Sequence, residues 1–239
     1  MTAIPGRRIV VLSPHLDDAA LSLGASIADA AAGGADVAIV TAFAGDPARR
    51  DDPSVWDRRA GFTSSLEALE ARREEDRRAC SALGARPVWL PFGYGGVAVD
   101  ERELRKLLLD AVRGADTVLV PGWPLKNPEH AALTLLALRM GIPSTAIGVY
   151  VEQPYVWWRS YVEPGLLPEL AAVGVDGLSW TALRTTRAGR RAKRRALSAY
   201  RSQLRLLRGR PHSLPVRWRI SFYERRAGGE GVGWIALAP

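Results

Sequence analysis

The chain is almost free of cysteine, since Cys80 is the only one among its 239 residues. A single cysteine cannot close an internal disulfide, and it has no second cysteine with which to share a metal ion. This composition excludes a disulfide-stapled fold and a cysteine-based zinc site. We expect the protein to work in a reducing, cytoplasmic setting.

Long apolar runs are also absent, because no stretch approaches the ~20 residues that a transmembrane helix needs. The first residues lead directly into a predicted strand, without a separate apolar segment or a small-residue cleavage site. We therefore expect neither secretion nor association with a membrane.

Acidic residues are outnumbered, with 25 Asp and Glu against 33 Lys and Arg and a net charge of +8. Most of the excess lies between Arg184 and Arg226, and no recognisable nucleic-acid motif accompanies it, so we expect no nucleic-acid partner. Residues 184–210 place apolar side chains at helical spacing, which is typical of an amphipathic helix with a solvated basic face. The alternative is a surface that attracts an anionic substrate. The sequence leaves both interpretations open.

Short apolar runs alternate with helical patterns along the first two thirds of the chain. The predicted strands are residues 8–12, 36–42, 86–92, 116–120 and 145–151. The predicted helices are residues 19–32, 58–83, 101–112 and 130–140. This alternation requires crossover connections, which are right-handed, and it predicts a doubly wound α/β fold. We expect a Rossmann-like, mainly parallel sheet with helices on both faces.

The alternation ends after Glu152, where an aromatic stretch interrupted by proline begins. A strand at residues 177–183, the basic helix and a late strand at residues 221–225 are predicted beyond it. We predict a single domain over residues 1–239, with an α/β core at 1–152 and a small C-terminal cap or lobe at 153–239.

Two strand-to-helix turns contain the residues that could bind a metal ion or take part in catalysis. The first predicted strand is followed by Pro14-His15-Leu16-Asp17-Asp18, and the strand at residues 116–120 is followed by Asn127-Pro128-Glu129-His130. Such turns lie at the carboxyl edge of an open α/β sheet, where ligands bind. The chain has three histidines, and two of them lie at these turns beside acids. We therefore expect the two turns to form one site.

Two imidazoles and one carboxylate leave coordination positions open, which is the arrangement of a catalytic zinc site. One aspartate of the first turn would bind the metal with His15, while its neighbour would serve as a base for a water molecule. These parts fit amide hydrolysis. The alternative is that the acids only cap helices and that the histidines are ordinary loop residues. The same ligand set also suits Fe²⁺.

At these motifs the chain resembles the PIG-L/LmbE-like family of zinc-dependent N-deacetylases, which remove the acetyl group from N-acetylglucosamine-type sugars and related conjugates. The resemblance implies that His15, Asp18 and His130 bind zinc. It also implies that Asp17 is the general base and that Glu129 is an acid that orients the site from behind.

Three positions depart from the family pattern. Ala19 stands where an acid commonly follows the two aspartates, and Leu125 stands where some relatives have a tyrosine. Asn127 replaces a histidine that helps relatives to stabilise the oxyanion or to donate a proton. An asparagine donates a hydrogen bond but is not an acid at neutral pH. Either Asp17 carries out both proton transfers, or His212 assists from the C-terminal lobe.

Loops at the carboxyl edge are expected to line the substrate pocket. Asp46, Arg49 and Arg50 are candidates for contacts with sugar hydroxyl or phosphate groups, the alternative being a charged surface loop. The expected partner is a small-molecule N-acetylated sugar conjugate, such as a sugar nucleotide, a thiol glycoside or an antibiotic intermediate. The sequence is compatible with a homo-oligomer.

Aromatic residues after the fifth strand have two interpretations. Tyr155, Trp157 and Trp158 either form a stacking wall for a sugar or pack in the core or the lobe. Three other functions remain open beside the deacetylase: an amidase for another acylated small molecule, a non-haem iron enzyme, and a weakened family member that only binds a sugar.

Overall fold

The computed structural model describes residues 3–46, 51–93, 99–156, 166–206 and 230–235. Its strands are β1 (Arg8–Ser13), β2 (Asp36–Thr41), β3 (Arg86–Trp89), β4 (Thr117–Trp123), β5 (Ala146–Val151), β6 (Leu178–Leu183) and β7 (Glu230–Ile235). Its helices are α1 (Asp18–Ala32), α2 (Val55–Ala60), α3 (Ser65–Leu83), α4 (Glu101–Val112), α5 (Pro128–Arg139), α6 (Pro168–Ala171), α7 (Arg187–Ala199) and α8 (Arg201–Leu206).

The strands of the described residues form one sheet in the order β3-β2-β1-β4-β5-β7-β6. The strands β1 to β5 are parallel, whereas β7 runs antiparallel to both β5 and β6. The strand order reverses between the neighbours β1 and β4, which makes their carboxyl ends the switch point where such sheets bind ligands. The predicted Rossmann-like, mainly parallel sheet is confirmed, and its switch point is where both sequence motifs begin.

Alternation along β1 explains how the sheet is covered. Val10 and Leu12 belong to the core cluster under α4, α5 and α6, while Ile9 and Val11 belong to the cluster under α1, α3 and α7. Successive side chains of a strand point to opposite faces, so an uninterrupted apolar run requires cover on both sides. The helices supply that cover, and they hold the two motif-bearing strands rigidly in the middle of the sheet.

The predicted helix at residues 58–83 is wrong in its extent, because the structure has two helices there. The helix α2 begins at a capping box in which Ser54 and Asp57 exchange hydrogen bonds, and it ends at Gly61 with φ of 97°. Ser64 then caps α3 by accepting a hydrogen bond from the Glu67 amide. A left-handed glycine between two N-capping serines breaks the helical ladder that the charged pattern suggested.

The C-terminal region also differs from its prediction. The basic segment forms α7 and α8, with a break at Tyr200. The described part of α7 is amphipathic as predicted: it buries Ala196 and Leu197 and exposes arginines such as Arg191 and Arg194. The strand β7 was not predicted, and it lies inside the sheet between β5 and β6. The late strand expected at residues 221–225 lies outside the described residues, and the division at residue 152 stays a prediction.

A buried ion pair fastens α1 to the C-terminal part of the sheet. Glu230, at the start of β7, accepts hydrogen bonds from the backbone amides of Ala25 and Ser26 and from Lys193 Nζ, the last at 2.6 Å. Both charged side chains are almost fully buried, so each requires the other. The pair therefore fixes the helix whose first residue is Asp18. Within the described part of the chain, no helix has the length and apolar character to cross a membrane.

Candidate metal centre

The turn after β1 is held in shape by its own polar groups. The Ser13 hydroxyl donates to the His15 carbonyl at 2.7 Å and accepts from the Ala19 amide at 3.1 Å. The His15 amide donates to Asp18 Oδ2 at 3.0 Å. On the outer side, Gln203 Nε2 donates to the Leu16 carbonyl at 3.2 Å. The turn thus presents the His15 and Asp18 side chains together at the switch point.

The turn after β4 brings the second half of the site. Asn127 is the N-cap of α5, since its Oδ1 accepts from the Glu129 amide at 2.9 Å, and Pro128 occupies the first turn of the helix. His130 follows in the same turn and is fully buried. Because β1 and β4 are adjacent and parallel, both turns emerge side by side, and His130 meets His15.

Three candidate ligand atoms form an almost equilateral triangle. His15 Nδ1 lies 3.2 Å from Asp18 Oδ2, His130 Nε2 lies 3.3 Å from the same oxygen, and the two nitrogens are 3.3 Å apart. Zinc–nitrogen bonds of ~2.0–2.1 Å in a tetrahedron separate ligand atoms by roughly 3.3–3.4 Å. The three side chains therefore fit a tetrahedral metal ion and leave its fourth position to water or substrate. This is the group of residues that the sequence predicted.

Each imidazole has a carboxylate on its other nitrogen. His15 Nε2 contacts Glu129 Oε2 at 2.7 Å, and His130 Nδ1 forms a short hydrogen bond with Glu152 Oε2. When a metal ion binds the inner nitrogen, the outer nitrogen carries the proton and donates it to the carboxylate. Glu129 thus contacts His15, and its role as an orienting acid stays a prediction. Glu152, which directly follows the apolar strand β5, is a new member of the site.

We expect Glu152→Gln to weaken metal affinity by ~10–100-fold, the usual effect of losing such a partner. Glu152 Oε1 also accepts from the Leu125 amide at 2.8 Å, and one amide oxygen cannot serve both donors as strongly. Competition titration against a chromophoric chelator measures the affinity. Asp76→Asn is the matched control, because Asp76 is a buried carboxylate on α3 that accepts from Trp89 and Tyr200. Equal affinity in Glu152→Gln and the wild type would contradict the assignment.

Asp17 lies beside this group without belonging to it. It is the N-cap residue of α1, yet its side chain makes no capping hydrogen bond, and the residue as a whole is 7% exposed. Capping therefore does not account for this side chain. Its catalytic role stays a prediction.

The charges of the site favour a cation at its centre. Burial lowers the pKa of His15, but hydrogen bonds with Asp18 and Glu129 outweigh it and raise the pKa to about 10. Burial of His130 is likewise outweighed by the Asp18 charge and the Glu152 hydrogen bond, which raise its pKa. Carboxylates thus stabilise positive charge on both imidazoles, and a divalent cation supplies that charge when the imidazoles are neutral ligands.

The pKa of Asp17 is shifted in the opposite direction from the pKa of Asp18. Burial raises the pKa of Asp17 to about 8, and the negative charge of Asp18 adds to the effect. Burial also raises the pKa of Asp18, but the charge of His130 and the hydrogen bond with His15 exceed it, so the pKa of Asp18 is lowered. Adjacent aspartates therefore have different environments, one paired with imidazoles and one not.

Tyr155 closes one side of the site. Its ring meets the His130 ring edge to face, with centroids 5.2 Å apart and planes at 82°. Burial, and then the charges of Asp18 and Asp17, raise the pKa of this phenol above its usual range. The Tyr155 side chain therefore lies beside the candidate ligand His130, and stacking on a sugar stays a prediction.

The remaining predicted contacts are less defined. Asp46 is exposed in the loop that follows β2, and its role in substrate binding stays a prediction. Five further residues that the sequence singled out lie outside the described part of the chain: Arg49, Arg50, Trp157, Trp158 and His212.

The fold and the site together define a hydrolase of the N-deacetylase class, built on a Rossmann-like sheet. The chain belongs to the PIG-L family: the family model described as GlcNAc-PI de-N-acetylase matches residues 10–140, more than half of the 239 residues. The matched segment contains both motifs, so the resemblance read from them is confirmed. Comparison with curated protein sequences gives no significant match.

Solved structures agree with this family. The A40926 pseudoaglycone deacetylase Dbv21 is 28% identical, with a TM-score of 0.77 and coverage of 97% of both chains. A triple mutant of a deacetylase from the teicoplanin biosynthetic pathway is 26% identical, with a TM-score of 0.80 and coverage of 97% of this chain and 98% of the other.

A third structure shows that this fold also occurs in a protein with a different reaction. The 4-carboxy-2-hydroxymuconate hydratase of Pseudomonas putida is 17% identical, with a TM-score of 0.59 and coverage of 98% of this chain and 97% of the hydratase. At that identity the likeness concerns the fold alone. Since one fold supports different reactions, the reaction must be argued from the side chains of the site.

Proposed function

We propose that the protein is a zinc-dependent hydrolase that removes the N-acetyl group from an N-acetylglucosamine-type sugar within a small-molecule conjugate. The observation that carries the proposal is the triangle of ligand atoms from His15, Asp18 and His130, with edges of 3.2–3.3 Å, next to the buried Asp17, whose side chain makes no capping hydrogen bond. Family membership supports the same chemistry.

The three side chains of the triangle would hold the metal ion. A zinc ion bound there would polarise the amide carbonyl and lower the pKa of a bound water toward ~7. Glu129 and Glu152 keep each imidazole in the tautomer that a ligand requires and fix the orientation of its ring. We infer zinc from the two nitrogens and one oxygen of the donor set. Fe²⁺ accepts the same donors and is the alternative tested below.

Asp17 would carry the proton. It accepts a proton from the attacking water as the new carbon–oxygen bond forms at the amide carbon. It then returns that proton to the sugar nitrogen as the carbon–nitrogen bond breaks, giving acetate and a free amine. Both transfers fall to Asp17 because Asn127, at the position of the family histidine, has no acidic proton at neutral pH. A positioned acid–base group of this kind contributes typically ~10²–10⁴-fold to a rate.

The substrate class rests on relatives. The family description refers to N-acetylglucosamine linked to phosphatidylinositol. One solved relative is described as a deacetylase of the pseudoaglycone of the antimicrobial A40926, and another as a deacetylase of the teicoplanin biosynthetic pathway. Among the three conjugates proposed from the sequence, these relatives favour an antibiotic intermediate. The exposed arginines of α7, which packs on α1 and α3, would attract an anionic conjugate.

We expect the zinc-loaded protein to release acetate from one member of a panel of N-acetylglucosamine compounds: the free sugar, a UDP-linked sugar, a simple glycoside and an N-acetylglucosaminyl glycopeptide pseudoaglycone. Chelation should reduce the release to the uncatalysed level, because the metal ion both activates the water and polarises the carbonyl. Acetate assay by coupled enzymes, with mass spectrometry of the free amine, measures the reaction.

The result of the acetate assay also distinguishes the deacetylase from the alternative functions. Release that returns only with Fe²⁺ under anaerobic conditions would replace zinc by iron. Release of a different carboxylic acid from a longer acyl chain would indicate another amidase. Tight binding of one compound with one metal ion per chain and no release would contradict the hydrolase and favour a protein that only binds a sugar.

A further inference from the structure

Asp17 occupies the N-cap position of α1 without capping the helix. An N-cap side chain normally accepts a hydrogen bond from the amide two or three residues further on, and its backbone is extended. Asp17 instead has φ of −157° and ψ of −21°, and its side chain makes no capping hydrogen bond. A carboxylate that accepts amide hydrogens is a weaker base, so the proposed proton transfer requires Asp17 to stay out of the cap.

Ser13 supplies the missing cap from the end of β1. Its hydroxyl accepts from the Ala19 amide at 3.1 Å, and this amide is one that an N-cap side chain would take. The same hydroxyl donates to the His15 carbonyl at 2.7 Å, so hydrogen bonds on both sides orient it. The Ala19 amide is therefore satisfied without the carboxylate of Asp17.

Gln203 fixes the peptide group that precedes Asp17. Its Nε2 donates to the Leu16 carbonyl at 3.2 Å, although the two residues are 187 positions apart in the chain. The Leu16 side chain is buried in a small cluster with Ala44 and Leu69. The peptide between Leu16 and Asp17 is thus held through its carbonyl and through the adjoining side chain. The orientation of this peptide sets the direction in which the Asp17 side chain leaves the backbone.

The helix α8, which contains Gln203, has its own attachment to the core. Ser202 donates to the two carboxylate oxygens of Glu75 on α3, from its amide at 2.9 Å and from its hydroxyl at 2.7 Å. Gln203 itself is buried. A glutamine loses rotamer freedom on burial, and one hydrogen bond to a carbonyl adds little net stability. The position of this hydrogen bond, beside Asp17, therefore matters more than its strength.

We propose that Gln203 is a positioning residue for the reaction, which acts through the Leu16 carbonyl to keep the Asp17 carboxylate oriented for accepting and returning the proton. The proposal rests on the proposed deacetylase function, with Asp17 as its base. Gln203 bonds to the backbone of the turn and does not belong to the triangle of candidate ligand atoms. Its loss should therefore lower turnover and leave the metal ion in place.

The test is Gln203→Met in the metal-loaded protein, with the substrate identified by acetate release. Methionine is similar in length and shape, but it cannot donate to the Leu16 carbonyl. Since a small displacement of a catalytic group can cost ~10²-fold in rate, we expect kcat to fall by ~10–10²-fold with KM and metal content unchanged. The same substitution in Asp17→Asn should cause no further fall in kcat, because no base is left to position.

Thr117→Val is the matched control. It removes a buried hydroxyl that donates to the Pro5 carbonyl at 2.6 Å, at the opposite edge of the sheet, and it should lower the melting temperature without lowering kcat. Wild-type release with equal kcat in Gln203→Met overturns the Gln203 assignment alone. Loss of metal or failure to fold in Gln203→Met, or an equal fall in kcat with and without Asp17, also overturns it, since the role would then be structural. Absence of release by the wild type overturns the function and the assignment together.

Discussion

Asp17→Asn is expected to bind the metal ion normally and to lose nearly all turnover, with a fall in kcat of ~10²–10⁴-fold. Asparagine has the shape of aspartate but cannot accept a proton from water and return it to the sugar nitrogen. The metal should stay, because the triangle is formed by His15, Asp18 and His130 without Asp17. Elemental analysis of the purified variant, together with the acetate assay, separates the two effects.

Asp18→Asn is the matched comparison, since it makes the same chemical change, from a carboxylate to an amide, at the adjacent residue. Asp18 Oδ2 lies within 3.3 Å of a nitrogen of each imidazole, so its substitution should lower metal affinity as well as turnover. A neutral amide oxygen is a weaker ligand than a carboxylate and leaves the two imidazoles without their shared negative partner. Equal loss of metal in both variants would mean that the base and the ligand are assigned in the wrong order.

The central part of the fold was predictable because its signals are local. Apolar runs such as that of β1 specify strands that are covered on both faces, and the glycine after α1 marks the end of that helix. The grouping of the candidate ligands was predictable for a related reason. Both motifs directly follow strands, and parallel strands end at the same edge of a sheet. The topology of the sheet thus brings the two motifs to the same edge.

Other elements could not be predicted because their causes are not local. The strand β7 contains two glycines within Glu230–Ile235, which is a weak strand pattern, and it is stabilised by pairing with both β5 and β6. The break between α2 and α3 depends on Gly61 in a segment whose charges favour a continuous helix. In both cases tertiary contacts or a single backbone conformation outweigh the average tendency of the sequence.

Glu152 and Tyr155 show what the motifs leave out of the site. Glu152 had a visible signal, an acid that directly follows an apolar strand at the ligand-binding edge. Its contact with His130, however, follows from the adjacency of β4 and β5. The sequence around Tyr155 had no signal that distinguishes this residue from an aromatic residue that packs in the core. Residues that orient or complete a site are placed by the fold, so their identity becomes apparent only when neighbouring strands are known.

His130→Ala is expected to lose both metal and activity, with acetate release reduced to the level of the chelated wild type. His130 is fully buried and lies at the centre of the site. Its Nε2 belongs to the triangle, its Nδ1 engages Glu152, and its ring supports Tyr155. Alanine removes one of the three proposed ligands and leaves the carboxylate of Glu152 buried without its imidazole, which is costly. The melting temperature should therefore fall as well.

His15→Ala distinguishes loss of a ligand from loss of packing. The His15 side chain is 22% exposed, against 0% for His130, so its removal should abolish metal binding and turnover with a much smaller fall in melting temperature. Elemental analysis, the acetate assay and thermal unfolding are compared for the two variants. If both lose the metal but only His130→Ala is strongly destabilised, the two histidines are equivalent as ligands and differ in their packing. Retention of one metal ion and of turnover in either variant would contradict the proposed centre.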